Sequence, residues 1–171
     1  MIKRIIFCVE TTRQANTDYA YIRETIRHYY ADDKKIVIRP VFMESKTRYN
    51  SRAVKENIEK ECAFSRHNHV IYCIDTDDWD TSADDRRLLE KIQAYCRSNG
   101  YDFVFFCRDV EDVYWGRRIP DTEKAARMAQ FRGTHAIEGI KASDLEKEQP
   151  QIHCSNIVSV LDQYMKRKKG K

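Results

Sequence analysis

The sequence predicts an α/β fold: a four-stranded, mainly parallel sheet in a three-layer, Rossmann-like arrangement, followed by a helical C-terminal extension. Two observations carry this expectation. Four short apolar runs, at residues 5–9, 35–43, 70–74 and 103–107, are nearly continuous rather than alternating, as in strands buried on both faces. Between them lie segments with apolar residues at helical spacing, and strands alternating with such helices imply right-handed crossovers in a parallel sheet.

The first run ends at Glu10 and gives way to polar TTRQAN. Thr17 is the expected N-cap of a first helix, with Asp18 favourable in its first turn and Tyr19, Ile22, Ile26, Tyr29 and Tyr30 on its apolar face. The second run, KIVIRPVFM, contains Pro40, which cannot donate to a ladder and so places this strand at an edge. After ESKTRYN, residues Val54, Ile58 and Cys62 mark a second helix beginning near Asn50 or Ser51. The run VIYCI is the third strand. Thr81 or Ser82 then caps a helix whose apolar face is Leu88, Leu89, Ile92, Tyr95 and Cys96, and Asn99-Gly100 ends it.

Beyond the fourth strand the pattern turns helical. Short helices are expected at 110–115 and about 122–131, Ser143-x-x-Glu146 resembles a capping box, and Ile157, Val158, Leu161, Tyr164 and Met165 form the stripe of a last helix. No repeat or low-complexity tract divides the chain. It is therefore expected to be a single domain over 1–171, with a core at about 3–115 and the extension at about 116–171.

Composition narrows the function classes. A length of 171 residues suits one domain, and 42% hydrophobic with 34% charged residues is a globular balance. No apolar run approaches the roughly 20 residues of a membrane span, so no membrane association is expected. The opening MIKRIIFCVE lacks a small-residue cleavage site and is taken as a first strand. Six scattered cysteines without a C-x-x-C pair suggest reduced, buried thiols and a cytoplasmic setting. The net charge of +4 is concentrated at KRKKGK, a tail expected to be a solvated, frayed end with some electrostatic affinity for nucleic acid. No Gly-rich phosphate loop or G-x-S-x-G elbow is present, which argues against P-loop and serine-hydrolase chemistry. His67-x-His69 lacks a third ligand nearby and is expected to be a loop at a strand start. Trp79 either stacks on a base or folds back onto the domain.

The stretch VIYCIDTDDWD breaks from a buried strand into Asp75, Asp77, Asp78 and Asp80. If the strand order is 2-1-3-4, the ends of strands one and three are neighbours at the topological switch point, and Glu10, Asp75 and Asp77 converge in one crevice. Ionised carboxylates repel unless a cation joins them. An all-oxygen set with room for water suits Mg²⁺ or Mn²⁺. The alternative is that these acids only cap the following helix and meet its dipole.

In order and spacing, residues 3–115 resemble a TOPRIM domain, which has a glutamate after its first strand and a D-x-D motif after its third; the matching residues are Glu10 and Asp75-Thr76-Asp77. More narrowly the chain is similar to the RloB-like branch associated with phage defence, through CVE with TDYAY, then IDTDD, then Glu111 within RDVEDVYW. It departs from that pattern at Thr11, where a glycine is common, and at Arg108-Asp109-Val110, where an Asn-Pro-Phe-like approach is common. The resemblance implies a Mg²⁺-dependent nuclease of a mobile-element or phage-defence system. Asp75, Asp77 and Asp78 would hold the metal, Glu10 would be a ligand or general acid/base, and Glu111 is a further candidate. Arg117, Arg118, Lys124 and Arg127 are candidate phosphate contacts. Nucleic acid and a partner ATPase are the expected partners. Two other readings stay open: an inactive TOPRIM-like module that binds a partner protein or nucleic acid, and a receiver-like domain with Asp75 as phosphoacceptor.

Overall fold

The computed structural model describes residues 2–170; Met1 and Lys171, the last residue of the basic tail, lie outside them. Strands β1 (Lys3–Val9), β2 (Ile36–Phe42), β3 (His67–Asp75) and β4 (Asp102–Phe106) form one sheet in the order β2-β1-β3-β4. All three pairings are parallel, with Phe7 opposite Pro40 on one side and Ile71 on the other. Order and edge position thus agree with the expectation, and Pro40 lies in an edge strand, where a missing N–H is tolerated.

The apolar runs are continuous because alternate residues feed two cores. Ile5, Phe7, Val9, Ile71, Cys73, Val104 and Phe106 pack on one face against helices α1 (Thr17–Tyr29), α4 (Val110–Trp115), α5 (Asp121–Gly133) and α6 (Ile157–Leu161). Ile6, Cys8, Val70, Tyr72 and Ile74 pack on the other against α2 (Arg52–Cys62) and α3 (Ala83–Asn99). The result is three layers, with the extension contributing Met128, Phe131, Leu145 and Ile157 to the first core. All six cysteines are free, and only Cys62 is not buried. Among the described residues no helix is long and apolar enough to cross a membrane.

Some local expectations are corrected and others are met. Asn16, not Thr17, is the N-cap of α1, and its side chain makes no capping bond. Ser51 and Ser82 do cap α2 and α3, accepting from Val54 N and Asp85 N. Ser143 starts no α-helix; Ala142–Asp144 is a single 3₁₀ turn. Helix α6 stops at Leu161, short of Tyr164 and Met165, although both pack on the core. His67 and His69 belong to β3 itself, and Trp79 folds onto the second core. The basic tail is not frayed through residue 168: Ala31 N donates to Lys166 O at 2.9 Å, Lys168 N donates to Tyr29 O at 2.8 Å, and Arg167 pairs with Asp162 and Glu146.

The outer edge of β4 is covered by residues 154–156, with Cys107 N donating to Cys154 O at 3.0 Å beside two side chains. Asn156 Oδ1 accepts from Phe105 N at 2.9 Å and its Nδ2 donates to Phe103 O at 2.9 Å, the bonds a fifth strand would make. Ser155 Oγ also donates to Phe105 O, at 2.5 Å.

Candidate functional site

Strands β1 and β3 are parallel neighbours, so the residues that follow them leave the same edge of the sheet. Glu10 and Asp75 meet there: Asp75 N donates to Glu10 Oε1 at 2.7 Å. Both residues are half-buried, and Asp75 lines the cleft described below. Burial pushes Glu10 up to about 8 against the opposing pull of Lys46. Asp75 is pushed well above the usual carboxylate range, first by burial and then by the charges of Glu10, Asp18, Asp109 and Glu111.

The turn after Asp75 is held by backbone. Thr76 N donates to Phe106 O at 2.9 Å, Asp77 N to Arg108 O at 2.8 Å, and Arg108 N to Thr76 Oγ1 at 2.8 Å, which locks this turn to the β4–α4 loop. Asp77 and Arg108 both take left-handed backbone, at φ 49° and 64°; for Asp that is tolerated, for Arg it is unusual. Asp77 and Asp78 are half-exposed, and each is already met by a cation: Asp77 by Lys46 and Asp78 by Arg118. Lys46, itself buried, also donates to Asp75 O at 3.0 Å. The D-x-D pair therefore does not act alone on one point; the carboxylates acting most on Asp75 come from β1, α1 and the start of α4.

Three of the groups there were not singled out by sequence reasoning. Asp18, read as a favourable first-turn charge, is buried, and desolvation followed by the Glu111 charge raises it to about 7. Asp109 caps α4 by accepting from Asp112 N at 2.7 Å and is raised chiefly by burial. Lys46 lies in the loop expected after β2. Of the three, only Asp18 had a sequence cue, its place in TDYAY.

Glu111, a sequence candidate, is fully buried at the start of α4. Its Oε2 lies 3.1 Å from Lys124 Nζ, yet neither carboxylate oxygen makes a hydrogen bond of acceptable geometry among the described residues. Burial raises the Glu111 carboxyl. For Lys124, burial opposes the charge, but Glu111 and then Asp109 and Asp75 hold it protonated above its ordinary value.

The four cationic candidates do not form one open patch. Arg118 is paired with Asp78 and Lys124 with Glu111 and Asp121, while Arg127 pairs with Glu123 and stands 5.8 Å over the Trp115 ring. Arg117 is exposed and has no ion pair among the described residues. The cleft above the carboxylates holds about 410 Å³, with Asp75, Asp77, Asp78 and Asp109 facing Arg108, Arg118 and Lys124.

As they stand, no three His, Cys, Asp or Glu side chains among the described residues are grouped to hold a metal ion. The donor set nonetheless fits a hard divalent cation: it is all carboxylate oxygen, partly without hydrogen-bond donors at Glu111, and five acids face two buried or half-buried lysines. Comparison with protein-family models, curated proteins and solved structures gives no match.

Proposed function

We propose that the chain is a Mg²⁺- or Mn²⁺-dependent nuclease of TOPRIM, RloB-like type that cleaves phosphodiesters, working in the cytoplasm with a partner ATPase in a mobile-element or phage-defence setting. The observation that carries this is the Asp75 N to Glu10 Oε1 bond at a topological switch point, which joins two acids amid a surplus of buried negative charge. Such a surplus is relieved either by protons or by a cation. The six free cysteines agree with a reducing compartment.

Glu10, Asp75, Asp77, Asp78 and Glu111 are the residues that would hold the ion. When bound, it would polarise a phosphate oxygen and lower the pKa of a water. Glu10 Oε1 is fixed by the Asp75 amide, leaving Oε2 to meet the ion or to take or return a proton. Lys124 offers a positive charge between the acids and the incoming phosphate, and Arg117 is free to meet the next one along.

A second reading is favoured by the pairing of Asp77, Asp78 and Glu111 with Lys46, Arg118 and Lys124, because internal cations then take the place of a metal. The chain would then be an inactive TOPRIM-like module that binds a partner protein or nucleic acid. Calorimetric titration with Mg²⁺ and Mn²⁺ separates the two. The nuclease reading expects saturable binding that disappears in Asp75→Asn with Asp77→Asn, and cleavage of DNA or RNA that disappears in Asp75→Asn. A folded wild type that binds neither ion sinks it and leaves the module.

A further inference from the structure

A second cavity, of about 660 Å³, opens between α1 and α5 beside the acidic cleft. Asp121 and Lys124 line both, so the two spaces adjoin across the Lys124 side chain. Its volume lies within the roughly 300–1,000 Å³ of small-molecule sites.

The walls differ from those of the acidic cleft. Tyr19 and Met128 supply an aromatic face and a polarisable apolar surface, and Ala125 and Ala129 leave the α5 side open for want of larger side chains. Around this floor stand several polar groups. The Thr11 hydroxyl is buried without a hydrogen-bond partner, Gln14 lines the cavity, and the Arg23 charge acts on the Tyr19 ring that forms its aromatic wall. At the same rim begins the 13-residue helix α1, whose first N–H groups receive no capping bond from Asn16. The Asp18 carboxyl meets one first-turn amide itself, but the uncapped amides that remain and the Arg23 cation together suit an anion, and the aromatic floor suits a flat ring.

We propose that this cavity receives one unstacked nucleotide of a single-stranded nucleic acid. Its base lies against Tyr19 and Met128, Gln14 and Thr11 meet its polar edge, and its phosphate is held by the start of α1 with Arg23. Lys124 then directs the adjoining phosphodiester into the acidic cleft; this last step rests on the nuclease reading above. A base in the cavity cannot remain in a duplex, so the site selects single strands or bases extruded from a helix.

The test uses fluorescence anisotropy with labelled single-stranded DNA, single-stranded RNA and the matching duplex, in EDTA so that binding is read without cleavage. The wild type should bind one or both single strands at least about tenfold more tightly than duplex, the equivalent of one base stack. Ala129→Trp, which fills the cavity from an exposed helix position, and Arg23→Ala should each remove most of that preference, with thermal melts showing both variants folded. Equal affinity for duplex and single strand, or an Ala129→Trp protein that binds single strands as the wild type does, overturns the proposal. Mg²⁺ calorimetry on wild type and Ala129→Trp separates the two ideas. If single-strand preference is lost in Ala129→Trp while no Mg²⁺ binding occurs in either protein, the cavity stands and the nuclease reading falls.

Discussion

The Asp75 amide donates to the Glu10 carboxylate at 2.7 Å, so one acid at the site is held in place by the backbone of another. Glu10→Ala leaves that amide without its acceptor and should destabilise the fold by about 1–2 kcal/mol in urea titration. Glu10→Gln keeps an acceptor oxygen and should cost less, while losing divalent-ion binding as fully as Glu10→Ala. Equal stability loss in the two variants would show that the hydrogen bond is not what matters at this position.

The acids also set a pH dependence. Glu10 moves from an ordinary 4.5 to about 8 and Asp18 from 3.8 to about 7, both chiefly through burial. The folded protein then holds protons that the unfolded chain has released. The stability from these groups is complete below their unfolded values and is lost as pH rises through about 7 to 8. In EDTA, melting temperature should fall between about pH 6 and about pH 9, and Mg²⁺ should recover part of the loss with release of protons. A melting temperature that climbs over this range would contradict the placement of both carboxyls.

Lys46 joins the turn to the site, donating to Asp75 O at 3.0 Å and pairing with Asp77, and it is the largest influence holding Glu10 down against burial. Lys46→Met keeps the aliphatic stem but removes these bonds. We expect a loss of about 1–2 kcal/mol and a Glu10 titration, followed by carboxyl NMR, displaced above its wild-type midpoint. An unmoved midpoint would mean that Lys46 does not face Glu10 in solution.

How far these features were legible in the sequence depends on which physical signal each one leaves. Glu10 and Asp75 were legible because each interrupts a doubly buried strand, whereas the order that makes those strands neighbours entered only as a condition and is supplied by the structure. Asp109 and Lys46 were not, since their meeting with Asp75 is made by tertiary packing of segments far apart in sequence. The stripe from Ile157 to Met165 predicted burial correctly and conformation wrongly: Tyr164 and Met165 reach the core after the chain has left the helix at Leu161. Periodicity reports which residues face inward, and here an irregular turn satisfies the same demand.

Asn156 supplies two of the bonds that cover the β4 edge, so Asn156→Ala should expose Phe103 O and Phe105 N together. A cost of about 1–3 kcal/mol is expected by chemical denaturation, with concentration-dependent self-association by light scattering. Asn156→Asp retains the acceptor alone and should fall between the two. A monomeric Asn156→Ala protein of wild-type stability would remove this side chain from the account of the edge.

That closure also orders events during synthesis. The strand that carries Phe105 emerges from the ribosome some fifty residues ahead of the asparagine that satisfies it. Until residues 154–158 arrive, the nascent sheet presents an open row of amides and carbonyls to any neighbouring chain, and the vulnerable interval is fixed by translation speed rather than by the stability of the finished protein.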